Sequence, residues 1–84
     1  MELNQLKNSW NEILFALEAK NRVAWLTFFD ARLAKINGIE LWLDYSDPEK
    51  FSGGHNYVDA RSKFAPLLKE TIKEITGEEL EVRW

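Results

Sequence analysis

The first part of the chain carries apolar residues at three- and four-residue steps, a spacing that predicts an amphipathic helix from Leu3 to Ala19. Phe15 falls nearly opposite the centre of this apolar stripe, so we expect it on the polar side of the helix. Lys20-Asn21 interrupts the pattern, and Asn21 can cap a second helix from Arg22 to about Asp30. The second helix has almost no polar face, which indicates burial on several sides or partial cover by a partner.

The dipeptide Asn37-Gly38 lies between two apolar-rich runs and predicts a type I′ hairpin turn, because both residues tolerate a positive φ. In the resulting register, Leu33 pairs with Trp42, and both lie on the outer face of the hairpin beside a Lys35–Glu40 pair. The opposite face is then expected to enter the core through five residues: Ala34, Ile36, Ile39, Leu41 and Leu43.

The remaining pattern predicts a helical turn from Pro48 to Phe51 and a long helix that begins after Asn56 and ends near Thr76. Pro66 is expected to kink this helix or to restart it. Alternation of apolar and polar residues from Glu79 to Trp84 predicts a last strand. The expected order is α-α-β-β-α-α-β, a single α+β domain over residues 1–84 with a small three-stranded sheet packed on helices.

Composition narrows the possible functions. There is no cysteine among the 84 residues, which excludes disulfides and thiolate metal sites. The net charge of −3, with basic residues scattered among acids, disfavours nucleic acid as the main partner. No apolar run approaches the length of a membrane span, and the start of the chain lacks the basic residues of a signal peptide. We therefore expect a cytoplasmic protein without membrane contact.

Candidate catalytic motifs are weak. His55 is the only histidine, and it has no neighbouring ligands at metal-binding spacing. Gly53-Gly54 fits neither a P-loop nor a dinucleotide-binding fingerprint, and a flexible connector explains it better. The scattered acidic pairs are typical of solvated charges rather than of a glycosidase. We expect no catalytic residue, metal or cofactor in this domain, which therefore is not expected to be an enzyme.

Aromatic residues are the remaining candidates for function. Most are expected in the core: Trp10, Trp25, Phe28, Phe64 and Trp84. Phe15 and Trp42 fall off the core faces, and Phe51 lies at a loop edge. Together with Leu33, these three residues form the predicted protein-binding patch, which either a partner or another part of the chain could cover.

Several short motifs in order resemble the C-terminal domains of the gamma/tau subunit of bacterial DNA polymerase III, particularly in actinobacteria. The motifs are Trp10–Leu14, Asn21–Trp25, Asn37–Leu41, Phe51–Gly54 and Glu74–Gly77. The resemblance implies a KH-like fold and a tethering domain of the clamp loader that binds the polymerase catalytic subunit or the replicative helicase. The ATPase activity of that subunit is not implied, because this chain has no P-loop.

The same order of elements resembles domain I of the replication initiator DnaA, which is also KH-like. That resemblance implies self-association through the residue matching Trp10 and helicase contact through the residue matching Phe51. Trp10 departs from this pattern because it lies within the apolar stripe of the first helix. A third interpretation, from another class of function, is weak binding of single-stranded nucleic acid through the KH-like sheet.

Overall fold

The computed structural model describes residues 1–44 and 58–84, except for the side chains of 58 and 59. These residues form an α+β domain of three helices and one three-stranded mixed sheet, in agreement with the expected class and layout. The elements are α1 (Leu3–Lys20), α2 (Arg22–Phe28), β1 (Arg32–Asn37), β2 (Glu40–Asp44), α3 (Val58–Thr76) and β3 (Glu81–Arg83). The predicted turn from Pro48 to Phe51 lies outside the described residues.

The apolar stripe of α1 faces the core, as predicted. Leu6, Ile13 and Leu17 have no exposed surface, and Trp10 is 9% exposed. At the start of α1, the side-chain oxygen of Gln5 accepts a hydrogen bond of 3.0 Å from the backbone N–H of Glu2. This bond occupies a backbone donor next to a helix end, where donors lack intrahelical partners.

Asn21 separates α1 from α2 and caps the second helix, as predicted. Its side-chain oxygen accepts hydrogen bonds from the backbone N–H groups of Val23 at 2.9 Å and Ala24 at 3.2 Å. Its φ of −162° is extended, which is typical of an N-cap residue. A single residue therefore ends α1 and starts α2, so the two helices follow each other without a linker.

The β1–β2 hairpin turns one residue later than predicted. Asn37 pairs with Glu40, so Gly38 and Ile39 form the turn. Gly38 has a φ of +64°, and none of the described non-glycine residues has a positive φ. A positive φ at the first central residue alone is the pattern of a type II′ turn, not type I′. Ile39, predicted on the core face, is 63% exposed.

A bulge in β1 decides which of its residues face the core. The pairing register shifts around Ala34, which is exposed although the sequence pattern placed it in the core. Before the bulge, Leu33 pairs with Leu43, and after it Ile36 pairs with Leu41. Leu33 and Ile36 are half-buried and pack against the core cluster, which corrects the predicted outer position of Leu33.

The third strand completes the sheet next to β2, in the order β1-β2-β3. β3 runs parallel to β2, with Val82 opposite Leu41, and α3 supplies the crossover that a parallel connection needs. Leu80 and Val82 are buried, as the alternation predicts. Trp84 was also expected in the core, but it lies beyond the end of β3 and is 41% exposed.

α3 continues through Pro66 as one helix, which excludes a restart at this residue, whereas the alternative of a kink stays a prediction. Leu68 and Ile72 are fully buried on its inner side, where Phe64 packs half-buried against the core. The helix ends before Gly77, whose φ of +80° is a conformation that favours glycine at a helix C-terminus. The core is thus built from α1, α2, the sheet and α3.

Two ion pairs connect α3 to β3 and the residues before it. The Nζ atom of Lys69 lies 2.5 Å from a carboxylate oxygen of Glu81, and that of Lys73 lies 2.6 Å from a carboxylate oxygen of Glu79. The hydrogen bond from Lys69 lowers the pKa of Glu81, and the hydrogen bond from Lys73 lowers the pKa of Glu79. The hydrogen bond to Glu79 in turn raises the pKa of Lys73.

These pKa shifts predict a small loss of stability in acid. Because the carboxyl pKa values are lowered by folding, the stabilisation is complete above the ordinary value of 4.5 and is lost as the pH falls through the lowered values. We expect the difference in melting temperature between the native protein and Glu81→Gln to stay constant from pH 7 to about pH 4.5 and to shrink at lower pH. Solvent exposure keeps the difference small, and added salt should reduce it further. A difference that stays constant at lower pH as well would contradict this prediction.

Candidate functional site

The outward side of α2 carries four apolar residues beside the exposed Arg22. Ala24, Thr27 and Phe28 are buried and form its inward side. Helical spacing places four apolar residues around the other side, and together they are named the α2 surface: Val23, Trp25, Leu26 and Phe29. Val23 is 48% exposed, and the other three are half-buried. An apolar side that remains accessible on a short helix is a candidate contact surface.

Two stacked rings form the centre of the α2 surface. The ring centroids of Trp25 and Phe29 lie 4.8 Å apart at an interplanar angle of 23°. The guanidinium carbon of Arg22 lies 5.9 Å from the centroid of the Trp25 ring, within cation–π range. These contacts restrict the rotamers of both aromatic side chains. The surface is therefore partly ordered before any partner arrives, which reduces the entropy lost on binding.

The position of Trp25 corrects the prediction that it belongs to the core. Thr27, which is 1% exposed, occupies the inward side of α2. Its hydroxyl donates a hydrogen bond of 2.8 Å to the carbonyl of Val23, so the buried oxygen has a partner. Phe28 is fully buried, as predicted. A pattern of apolar and polar letters cannot reveal that a threonine faces inward and a tryptophan outward.

The sheet face opposite the core carries Trp42. Leu41 and Leu43 are both buried, so strand alternation places Trp42 on the other side. Its neighbours across the sheet are Lys35 on β1 and Arg83 on β3. The Nζ atom of Lys35 lies 5.5 Å from the centroid of the Trp42 ring. A half-buried tryptophan therefore lies between two cations on this face.

The charges and polar atoms around Trp42 limit what it can bind. Arg83 is already engaged, because its Nε atom lies 3.6 Å from a carboxylate oxygen of Glu40. The indole Nε1 of Trp42 is inaccessible to solvent and has no hydrogen-bond partner among residues 1–44 and 58–84. Trp42 can therefore offer apolar ring surface to a ligand, but not its N–H group.

The structure does not gather the predicted protein-binding residues into one patch. Phe15 is 75% exposed at the centre of the polar side of α1, and helical spacing places it away from the sheet. Trp42 faces away from the helices, and Leu33 packs against the core. Phe51 lies outside the described residues. Phe15 and Trp42 are therefore separate candidates on different sides of the domain.

The described part of the chain contains neither a metal-binding cluster nor a membrane-spanning helix. No group of three histidine, cysteine, aspartate or glutamate residues within it could hold a metal ion. No helix within residues 1–44 and 58–84 is long and apolar enough to cross a membrane. His55 and the Gly53-Gly54 dipeptide lie outside these ranges.

Comparison with known proteins leaves the family open. No protein-family model matches the chain, and neither a curated protein nor a solved structure matches it significantly.

Proposed function

We propose that this domain binds another protein and that the α2 surface is its principal contact. The supporting observation is the Trp25–Phe29 stack, which lies on the accessible side of a helix whose other side is in the core. Tryptophan and other aromatic residues contribute a large share of the binding energy at protein interfaces. Covering these rings would remove apolar area from water with little loss of side-chain freedom.

The partners to test first come from the resemblance to the gamma/tau subunit. They are the catalytic subunit of DNA polymerase III and the replicative helicase. In this role the domain has no catalytic activity of its own and acts as a tether that holds one replisome component near another. Such a role would place the protein in the bacterial cytoplasm.

Trp25→Ala is expected to weaken binding to the correct partner by about tenfold or more, the effect of losing one aromatic hot spot. The measurement is titration calorimetry with purified polymerase catalytic subunit and, separately, with purified helicase. The variant should remain folded by circular dichroism but unfold at a lower urea concentration, because the Trp25 ring is partly buried and stacked on Phe29. Loss of binding without loss of folding identifies a contact residue.

Phe15→Ala is the matched control, since it removes an exposed aromatic ring from a different side of the domain. It should leave the affinity unchanged. If Phe15→Ala or Trp42→Ala abolishes binding and Trp25→Ala does not, the contact lies at the residues predicted from the sequence and not at the α2 surface. If neither replisome protein binds the native domain, these partners are rejected.

The initiator domain remains a second candidate for the same class of function. Its expected self-association would use Trp10, but this residue is 9% exposed and belongs to the core cluster. Dimerisation through Trp10 would therefore require the core to open. Sedimentation of the domain over a range of concentrations distinguishes the two proposals, because the gamma/tau proposal needs no self-association.

One observation favours a third candidate, weak binding of single-stranded nucleic acid. Trp42 lies on a sheet face between Lys35 and Arg83, an arrangement on which bases can stack. Glu40 offsets the charge of Arg83, which argues against strong attraction of phosphates. A mobility shift with single-stranded DNA at low salt, lost in Trp42→Ala, would support this candidate. No shift at low salt would exclude it.

A further inference from the structure

The outer edge of β1 is open in the described part of the chain. In the strand order, β1 has β2 as its single neighbour. Asn37 and Glu40 flank a two-residue turn and therefore form a hydrogen-bonded pair. Because the two kinds of pair alternate along an antiparallel ladder, the next pair, Ile36 and Leu41, is not hydrogen-bonded. The backbone N–H and C=O of Ile36 therefore point away from β2. No backbone hydrogen bond from residues 1–44 or 58–84 reaches them.

The charge of β1 restricts what can pair with this edge. Lys35 is the cation near the middle of this strand, and the six residues Arg32–Asn37 include no acid. Lys35 is exposed, and its ammonium lies over the Trp42 ring without an ion pair to any described residue. Cations on an edge strand oppose pairing with a second copy of the same strand. They favour a segment that carries negative charge.

The two faces of β1 determine which side chains a strand added at its edge should carry on each side. On the core side, Leu33 and Ile36 are half-buried at the rim of the sheet, where one further strand would cover them. On the outer side, Lys35 would lie beside the side chains of that strand. An added strand would therefore place apolar residues on one face and acidic residues on the other. The bulge at Ala34 limits regular pairing to the part of β1 near the turn.

We propose that β1 accepts an extended acidic segment of a partner protein as a fourth strand of the sheet. In this segment, β-branched apolar residues such as valine alternate with glutamate or aspartate. Backbone hydrogen bonds to Ile36 supply part of the affinity, and Lys35 supplies charge selectivity. This inference names the form and charge of the partner segment, and it rests on the proposed function only in that the partner is a protein.

The test uses a peptide of the same six-residue length as β1, alternating glutamate and valine, with a lysine–valine peptide of the same pattern as the control. The NMR chemical shifts of the backbone amides of Ile36 and its neighbours should change when the isotope-labelled domain binds the acidic peptide. The basic peptide should leave these shifts unchanged. Lys35→Glu should weaken binding of the acidic peptide by about fivefold, which is the effect expected from one cross-strand charge pair. Lys7→Glu, an equal charge change at an exposed site on α1, should have no effect.

Equal binding of both peptides, or unchanged affinity in Lys35→Glu, would overturn the inference. It would also fail if the amides of β1 shifted with protein concentration alone, since the edge would then pair with a second copy. An acidic peptide with N-methylated backbone nitrogens must lose binding if strand addition is correct. If a replisome subunit binds and the acidic peptide does not, only the inference about β1 is rejected. If the peptide binds and neither replisome subunit does, the proposed partners are rejected and the β1 site is retained.

Discussion

Phe28→Ala is expected to lower the free energy of unfolding by about 3–5 kcal/mol, the cost of truncating a buried aromatic ring. Phe28 has no exposed surface and belongs to the core cluster on the inward side of α2. A domain of this size has a total stability of roughly 5–10 kcal/mol. The variant should therefore unfold at much lower urea concentration, as measured by circular dichroism.

Phe15→Ala removes the same atoms from a residue that is 75% exposed, so it separates burial from the chemistry of the substitution. Its effect on the free energy of unfolding should be within about 0.5 kcal/mol. Similar losses in the two variants would mean that α2 does not pack as described, and the α2 surface would lose its structural basis.

Pro66→Ala is expected to raise the free energy of unfolding by about 2 kcal/mol. Pro66 lies within α3, where it cannot donate a hydrogen bond to the carbonyl of Ser62 and its ring crowds that carbonyl. Both residues are exposed, so the alanine disturbs no core contact. Greater freedom of the unfolded chain offsets about 0.4–1 kcal/mol of the gain. Urea unfolding of both proteins measures the net change.

Pro66→Gly is the control for this prediction. Glycine restores the backbone donor but is about 1 kcal/mol less favourable than alanine within a helix, so the gain should be roughly halved. If both variants are less stable than the native protein, the proline ring supports α3 in a way that outweighs the missing hydrogen bond. Both variants should leave the α2 surface and its binding unchanged.

Local signals predicted α1, its end and the start of α2 because each depends on residues close in the chain. The register of the β1–β2 hairpin could not be predicted in this way. Asn37-Gly38 and Gly38-Ile39 both fit two-residue turns, and the choice depends on packing across the sheet. The observed register exposes Ile39 but brings Leu33 and Ile36 against the core, and the bulge makes this compatible with strand alternation.

The candidate site was predicted only in outline. The lack of a polar face on α2 indicated that a partner could cover part of this helix, which is consistent with its accessible apolar side. The expected core position of Trp25 is wrong, because Thr27 takes the inward position and its hydroxyl donates a hydrogen bond to the backbone of its own helix. Such a bond removes most of the cost of burying a hydroxyl, and hydrophobic periodicity contains no information about it.

The parallel pairing of β2 with β3 has a consequence for folding cooperativity. A two-residue turn joins β1 to β2, whereas the chain must pass through the whole of α3 before β3 reaches β2. By the logarithmic dependence of closure entropy on loop length, the longer connection costs roughly 2–3 kcal/mol more than the turn. The three residues of β3 cannot offset this entropy cost alone. Their pairing with β2 therefore depends on the burial of Leu68 and Ile72 in α3. α3 and β3 thus form one cooperative unit.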